Sequence, residues 1–155
     1  MKVFIAGTKT IKQLSNPVKK KISSIIMHGD EILVGDCQGA DTAVQEYCHS
    51  CGFPNVTVYS SGASVRNNIG GWNVKNIEVP PSFFGFEFYR QKDIAMANDA
   101  DCGLMIWDGK SRGTFSSIST LAKNNKTVLV YMQPTNSFYS IKGYSGVEKL
   151  LKAIV

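Results

Sequence analysis

Gly103-Leu104-Met105-Ile106-Trp107-Asp108-Gly109-Lys110-Ser111-Arg112-Gly113-Thr114 is the stretch that decides how this chain folds. It begins as an apolar, strand-like run and passes into a loop of small, hydroxylated and basic residues. Phe115 to Asn124 then continue with helical character. A strand whose carboxyl end opens through a Gly/Ser/Thr loop into a helix brings free backbone N–H groups and the positive end of the helix dipole to one point. That point suits an anion, and Lys110 and Arg112 add full charge to it.

Working outward, the same alternation recurs. Lys2 to Ala6 reads as a first strand. A helix begins at Asn16-Pro17, with Ser15 or Asn16 capping and Pro17 in the first turn, and runs to about His28 before Gly29 stops it. Glu31 to Gly35 is a second strand, Asp36-Cys37-Gln38-Gly39 a tight loop, and Ala40 to Cys51 a helix ended by Gly52. Asn55 to Ser60 alternates as a third strand. Residues 61–82 are irregular and rich in Gly, Asn, Ser and Pro. They are longer than an ordinary α/β connection, which marks a lid, a binding loop or an oligomer contact. A helix follows from about Phe84 to Asn98, then the strand Cys102 to Trp107 and the helix Thr114 to Asn124. The strand Thr127 to Met132, a polar stretch Gln133 to Ser145 and a last amphipathic helix, Gly146 to Ile154, complete the chain. The alternation predicts a mostly parallel sheet of about five strands with helices on both faces, in one domain over residues 1–155. Ligands of such folds sit beyond the carboxyl ends of the strands. The informative loops are therefore Gly7-Thr8-Lys9, Gly35 to Ala40 and Trp107 to Thr114.

The bulk numbers narrow the class. With 155 residues, 43% hydrophobic and 19% charged, the chain can bury one real core. No apolar run reaches the roughly 18 to 20 residues that a membrane helix needs. The apolar run at Val3 to Ala6 is too short for a signal peptide, so a cytoplasmic protein with no membrane partner is expected. Cys37, Cys48, Cys51 and Cys102 then read as reduced thiols. Cys48-His49-Ser50-Cys51 has the C-x-x-C form of zinc or redox sites, but no second ligand pair stands at matching spacing, and no metal or cofactor is expected. The net charge of +5 favours anionic or phosphorylated partners. The basic run Lys19-Lys20-Lys21 reads as a solvated helix face, and nucleic acid is not expected as a partner.

Each loop has a bland and a functional reading. Gly35 and Gly39 let backbone approach a ligand closely, Ala40 keeps the helix start small, and Asp36 and Asp41 either cap the turn or accept from ribose hydroxyls. Gly7 and Thr8 can serve turn geometry or a phosphate. Arg90 and Asp93 share a helix face; they form a surface pair, or Arg90 reaches a phosphate at the sheet edge. Ser111, Gly113 and Thr114 supply donors to phosphate. Trp107 could stack on a base, and Asp108 could take a ribose or an amine. The aromatics Phe83, Phe84, Phe86 and Phe88, with Ile69 and Trp72, supply an oligomer interface, or else enter the core in at least half of the cases.

These residues resemble a family. Gly35-Asp36-Cys37-Gln38-Gly39-Ala40-Asp41 is similar to the G-x-x-x-G-A-D loop of the SLOG superfamily, the Smf/DprA and LOG-related proteins with a Rossmann-like fold. Arg90, Ala100-Asp101 and Trp107 to Thr114 resemble the later motifs of its small, single-domain YspA-like branch, and Gly7-Thr8-Lys9 its opening motif, with Lys9 in place of Arg. The resemblance spans roughly residues 1–132. It implies a Rossmann-like three-layer sandwich and a nucleotide-type ligand held by Gly7, Thr8, Lys9, Asp36, Gly39, Ala40, Asp41, Arg90, Trp107, Asp108, Lys110, Ser111, Arg112, Gly113 and Thr114. Enzymes of the superfamily cleave N-glycosidic bonds with a Glu placed where this chain has Ser117. A serine cannot carry a glycosyl ester or stabilise an oxocarbenium ion as a carboxylate does. The expectation is therefore a protein with no catalytic residue that binds a phosphorylated nucleoside derivative, of ADP-ribose or cyclic-nucleotide type. By the resemblance it would act as a sensor or sequestering protein in antiviral defence or counter-defence, and as a homo-oligomer. The alternatives are a glycosidic-bond-cleaving enzyme in which Asp36, Asp108 or Glu87 replaces the missing Glu, and a DprA-like DNA-binding protein.

Overall fold

In the computed structural model, which describes residues 1–154, the chain runs β1 (Lys2–Gly7), α1 (Asn16–Met27), β2 (Glu31–Gly35), α2 (Ala40–Ser50), β3 (Val56–Ser61), β4 (Asn73–Ile77), α3 (Gly85–Asp99), β5 (Cys102–Trp107), α4 (Arg112–Lys123), β6 (Val128–Met132), β7 (Ser137–Ile141) and α5 (Gly143–Ala153). Val155, the last residue of the expected domain, lies outside the described residues. The seven strands form one sheet in the order β4-β3-β2-β1-β5-β6-β7. All neighbours are parallel except β6 and β7. The fold is the expected α/β, Rossmann-like three-layer sandwich, with seven strands instead of five.

The central strands β1, β2 and β5 are nearly continuous apolar runs because both of their faces are covered. On one face Val3, Ile5, Val34 and Ile106 pack with Val18 and Ile22 of α1 and with Val44 of α2. On the other, Phe4, Leu33 and Met105 pack with Met96 of α3, Ile118 of α4 and Leu150 of α5.

The two extra strands lie inside stretches that read as irregular. β4 falls within residues 61–82 and adds to β3 as an edge strand. Its residues Asn73, Lys75 and Asn76 are exposed, with only Val74 and Ile77 packed against the two core layers. An edge strand of this kind is held chiefly by backbone pairing and carries no apolar alternation to read. β7 likewise hides in the polar stretch after β6, pairing antiparallel through Tyr139 opposite Val130. The aromatic cluster corrects another expectation. Phe83, Phe84 and Phe86 are exposed, Phe84 by 84%, so most of this group does not enter the core. Trp72, by contrast, folds back and donates its indole N–H to the Phe53 carbonyl.

The topology places the loops. From β1 the chain winds out through β2 and β3 to β4, then returns through α3 to β5 on the other side of β1. β1 and β5 are therefore neighbours whose following loops diverge to opposite faces of the sheet. Gly7 stands opposite Ile106 at their carboxyl ends. This is the switch point at which open α/β sheets leave a crevice.

Candidate functional site

Three loops are tied together at that crevice. The Thr8 hydroxyl accepts the Asp108 N–H, while the Thr8 carbonyl accepts the N–H groups of Ile11 and Ala40. Buried Thr8 thus joins the ends of β1 and β5 to the start of α2. Gly39 is required here for two reasons. Its φ is +88°, and a Cβ on it would fall 2.0 Å from the Lys9 carbonyl oxygen. Gly7 has the same close fit, against the Ile106 carbonyl and Ala40.

The loop after β5 is built by Asp108. Its Oδ1 accepts the N–H groups of both Lys110 and Ser111 at 2.8 Å. Burial alone would raise this carboxyl, but those two N–H groups and the Thr8 hydroxyl hold it below the usual range. The Ser111 hydroxyl caps α4 by accepting the Thr114 N–H. Trp107 is buried, donates to the Ser111 carbonyl and stacks on Phe115 with ring centroids 5.6 Å apart. It braces the loop from beneath. The N–H groups of Arg112 and Gly113 in the first turn of α4 have no acceptor among the described residues, as helix geometry dictates.

A hollow of about 570 Å³ opens over these groups. It exceeds the hollow of about 450 Å³ over α1. Ala6, Gly7 and Lys9 line it after β1, Cys37 and Asp41 after β2, and Ser111, Gly113, Thr114 and Ser117 along α4. Gly85, Phe86, Tyr89, Lys92 and Asp93 of α3 form the facing wall, with Arg66 at the rim. Of the residues expected from sequence, the fold brings Gly7, Lys9, Asp41, Ser111, Gly113 and Thr114 to this hollow. Arg112 stands at its edge with its guanidinium 3.9 Å from the centre of the Phe86 ring. Lys110 is exposed on the loop. Gly39 and Ala40 shape the backbone behind the hollow. Arg90 is turned elsewhere: its Nε donates to the Ser116 hydroxyl, and Nη1 lies 3.6 Å from Glu87. Asp36 is buried and accepts both the Arg66 backbone N–H and, at 2.7 Å, its guanidinium.

Sequence reasoning named Asp41 and Asp93 but passed over Lys92, the cation that joins them in the floor. Lys92 and Asp41 are both buried, and Lys92 Nζ lies 2.7 Å from Asp93 Oδ1 and 4.0 Å from Asp41 Oδ2. Gly35 makes room for the group, since a Cβ there would meet Asp41 Oδ2 at 2.4 Å and Lys92 Nζ at 2.9 Å. Burial alone would lower the Lys92 ammonium, but Asp93 and then Asp41 raise it, so it stays charged. Asp41 is the member whose ionisation suffers. Desolvation raises its carboxyl to about 6, against the smaller opposing pull of Lys92. The signal that could have revealed this cluster is a lysine in the buried stripe of α3, in register with Met96. Phe86 was read as core or oligomer interface and Tyr89 was passed over, although the two stand three apart and so share a helix face.

Among the described residues no group of His, Cys, Asp and Glu is arranged to hold a metal ion, and no helix is long and apolar enough to cross a membrane. The C-x-x-C pair is split, with Cys48 buried and Cys51 exposed.

Comparisons with protein-family models and with curated proteins give no match. Among solved structures, the chain is similar to DNA processing protein A from Helicobacter pylori, a structure described for its single-stranded DNA binding mode. The TM-score is 0.65 at 19% sequence identity, over 99% of this chain and 72% of that one. The likeness shows that the chain shares the Rossmann-like fold of that protein. It also corrects one expectation: nucleic acid cannot be set aside as a partner when a protein sharing this fold along nearly the whole chain binds single-stranded DNA. The exclusion rested on Lys19-Lys20-Lys21 being the only basic run in the sequence, and arginines and aromatics that the fold brings together can serve where no contiguous basic run exists.

Proposed function

We propose that this chain binds a phosphorylated nucleoside ligand in the hollow between β1 and β5 and holds it as a sensor or sequestering protein. The observation that carries the reading is the wall formed by α4. Two unbonded N–H groups of its first turn, at Arg112 and Gly113, stand beside the Ser111 and Thr114 hydroxyls where the hollow meets the switch point of the sheet. A phosphate there would be neutralised by Lys9 and Arg112. The opposite wall offers Phe86 and Tyr89 to a base. ADP-ribose-type and cyclic-nucleotide signals fit this pattern, and a role in antiviral defence rests on the family resemblance alone. Holding, as opposed to cutting, is supported by the three carboxylates considered as substitutes for the missing Glu. Asp36 is locked to Arg66, Asp108 is spent on its own loop, and Glu87 is exposed beside Arg90. The exposed aromatics Phe83 and Phe84 are the surface on which a homo-oligomer would form.

Calorimetric titration of the full chain with AMP, ADP-ribose, NAD and cyclic AMP tests the reading, with chromatography of each mixture for released base. Saturable binding of at least one of these is expected, weakened roughly tenfold in Ser111→Ala through loss of a charge-assisted hydrogen bond. Absence of binding across the panel overturns it, and base release moves the chain to the glycosidic-bond-cleaving alternative.

A second reading, single-stranded DNA, is favoured by the structural neighbour together with Phe84, Phe86 and Tyr89, which are 84%, 38% and 45% exposed beside two arginines. Stacking platforms flanked by cations are how single strands are held without sequence preference.

A further inference from the structure

The floor of the hollow is wrong for phosphate. Its one buried cation, Lys92, is shared between Asp93 and Asp41, so carboxylates outnumber ammonium there. A phosphate is repelled from that end and belongs at α4. What the floor can accept is a hydrogen-bond donor. Asp93 lines the hollow with a quarter of its side chain exposed. Its Oδ1 is taken by Lys92, and its Oδ2 meets no donor among the described residues. Across from it, Ser117 of α4 is 4% exposed and lines the same hollow, and its hydroxyl has no hydrogen-bond partner among the described residues. A carboxylate oxygen and a hydroxyl that no other described residue engages thus line the two walls of one cavity. Open to the cavity, the pair offers an acceptor and a hydroxyl, which points to a ligand that carries hydroxyl groups.

The order along α3 says which part of a ligand that is. Phe86, Tyr89 and Asp93 follow at i, i+3 and i+7 and so share one stripe. One turn, about 5 to 6 Å along the helix axis, separates the backbone positions of Tyr89 and Asp93. This matches a base against the aromatic rings with its own sugar one turn deeper.

Resting on the reading of the hollow as a nucleotide site, we propose that Asp93 and Ser117 read the vicinal hydroxyls of a ribose, so that the ligand is a ribonucleotide. It can be a free ribonucleotide or the terminal ribonucleotide of a strand, since both present the same diol. Ser117 then has a task of its own at the position where the resembling enzymes carry their Glu.

The test compares the full chain titrated with AMP, 2′-deoxy-AMP, 3′-deoxy-AMP and a short oligoadenylate with a free 3′ diol. AMP should bind roughly tenfold to a hundredfold more tightly than either deoxy analogue, the range expected for a hydrogen bond to a charged acceptor. Asp93→Asn should shrink that ratio towards one. Because Asp93→Asn also weakens the pairing of Lys92, Ser117→Ala serves as the second variant; it leaves the ionic cluster intact and should reduce the ratio by a smaller factor. A preference for AMP over the oligoadenylate assigns the free nucleotide, and the reverse assigns the strand end. Equal affinity for AMP and both deoxy analogues, or a preference unchanged in both variants, overturns this inference while leaving nucleotide binding intact. Failure of all four to bind overturns both.

Discussion

Asp41 sits on the first turn of α2, its Oδ2 accepting the Cys37 N–H, with the shared ammonium of Lys92 at 4.0 Å. Its carboxyl is raised to about 6 from an ordinary 3.8, chiefly by desolvation. The folded state therefore binds this proton more tightly than the unfolded chain does. The stability it contributes is complete below about pH 4 and is lost as pH rises through about 6. Asp41→Asn fixes the neutral form in place. Relative to that variant, the wild type should lose on the order of 2 to 3 kcal/mol between pH 4 and pH 7, measured by urea unfolding at stepped pH. A constant difference across that range would show that Asp41 titrates normally. The residue itself was legible in the G-x-x-x-G-A-D pattern, and its two proposed roles, capping and ligand contact, were both in view. Its partner was not, because Lys92 follows 51 positions later and meets it only across the folded sheet.

At the scale of the element, α3 is where sequence and structure diverge most. The helix was expected with nearly its observed bounds, but its exposed aromatic end was not. Phe84, Phe86 and Tyr89 belong to the aromatic run from Phe83 to Tyr89, and the pattern alone cannot say which apolar residues a neighbouring element will cover. All three stay exposed in part, with the Arg112 guanidinium over Phe86 and that of Arg66 over Tyr89. If they serve a single strand, Phe84→Ser should change stability by less than about 0.5 kcal/mol, as befits an exposed side chain. It should weaken binding of a labelled oligothymidylate by about 1 to 3 kcal/mol in fluorescence anisotropy. AMP affinity should not move, since Phe84 does not line the hollow. Oligothymidylate affinity unaffected by the change removes Phe84 from any strand path. α4 is the opposite case: its capping serine, its small first turn and its basic flank could all be read directly from Ser111 to Thr114.

For the whole molecule, charge separates the two readings of the site. A mononucleotide engages one cluster of groups at α4, whereas a strand lays successive phosphates past Lys9, Arg66 and Arg112. Each phosphate contact to a single strand contributes about 0.7 to the slope of log K against log salt. Oligonucleotide affinity should therefore fall between 50 and 200 mM salt, by about sevenfold for two contacts and about twentyfold for three, and Arg112→Ala should lower the slope by roughly 0.7. Equal salt slopes for AMP and the oligonucleotide would argue that the strand is held through its terminal unit alone.

The α/β alternation, the phosphate-type loop after β5 and the glycines of the two tight turns were all determined by the sequence itself. They are local: a strand–loop–helix transition, or a backbone angle that only glycine adopts freely, is written in contiguous residues. The edge strands β4 and β7, the placement of Lys92 beneath Asp41 and Asp93, and the exposure of the aromatic end of α3 were decided only by the tertiary structure. Edge pairing draws on backbone hydrogen bonds that any residue can make. The charged floor and the bare aromatic wall depend on which distant elements the sheet topology brings together, and on which it leaves apart.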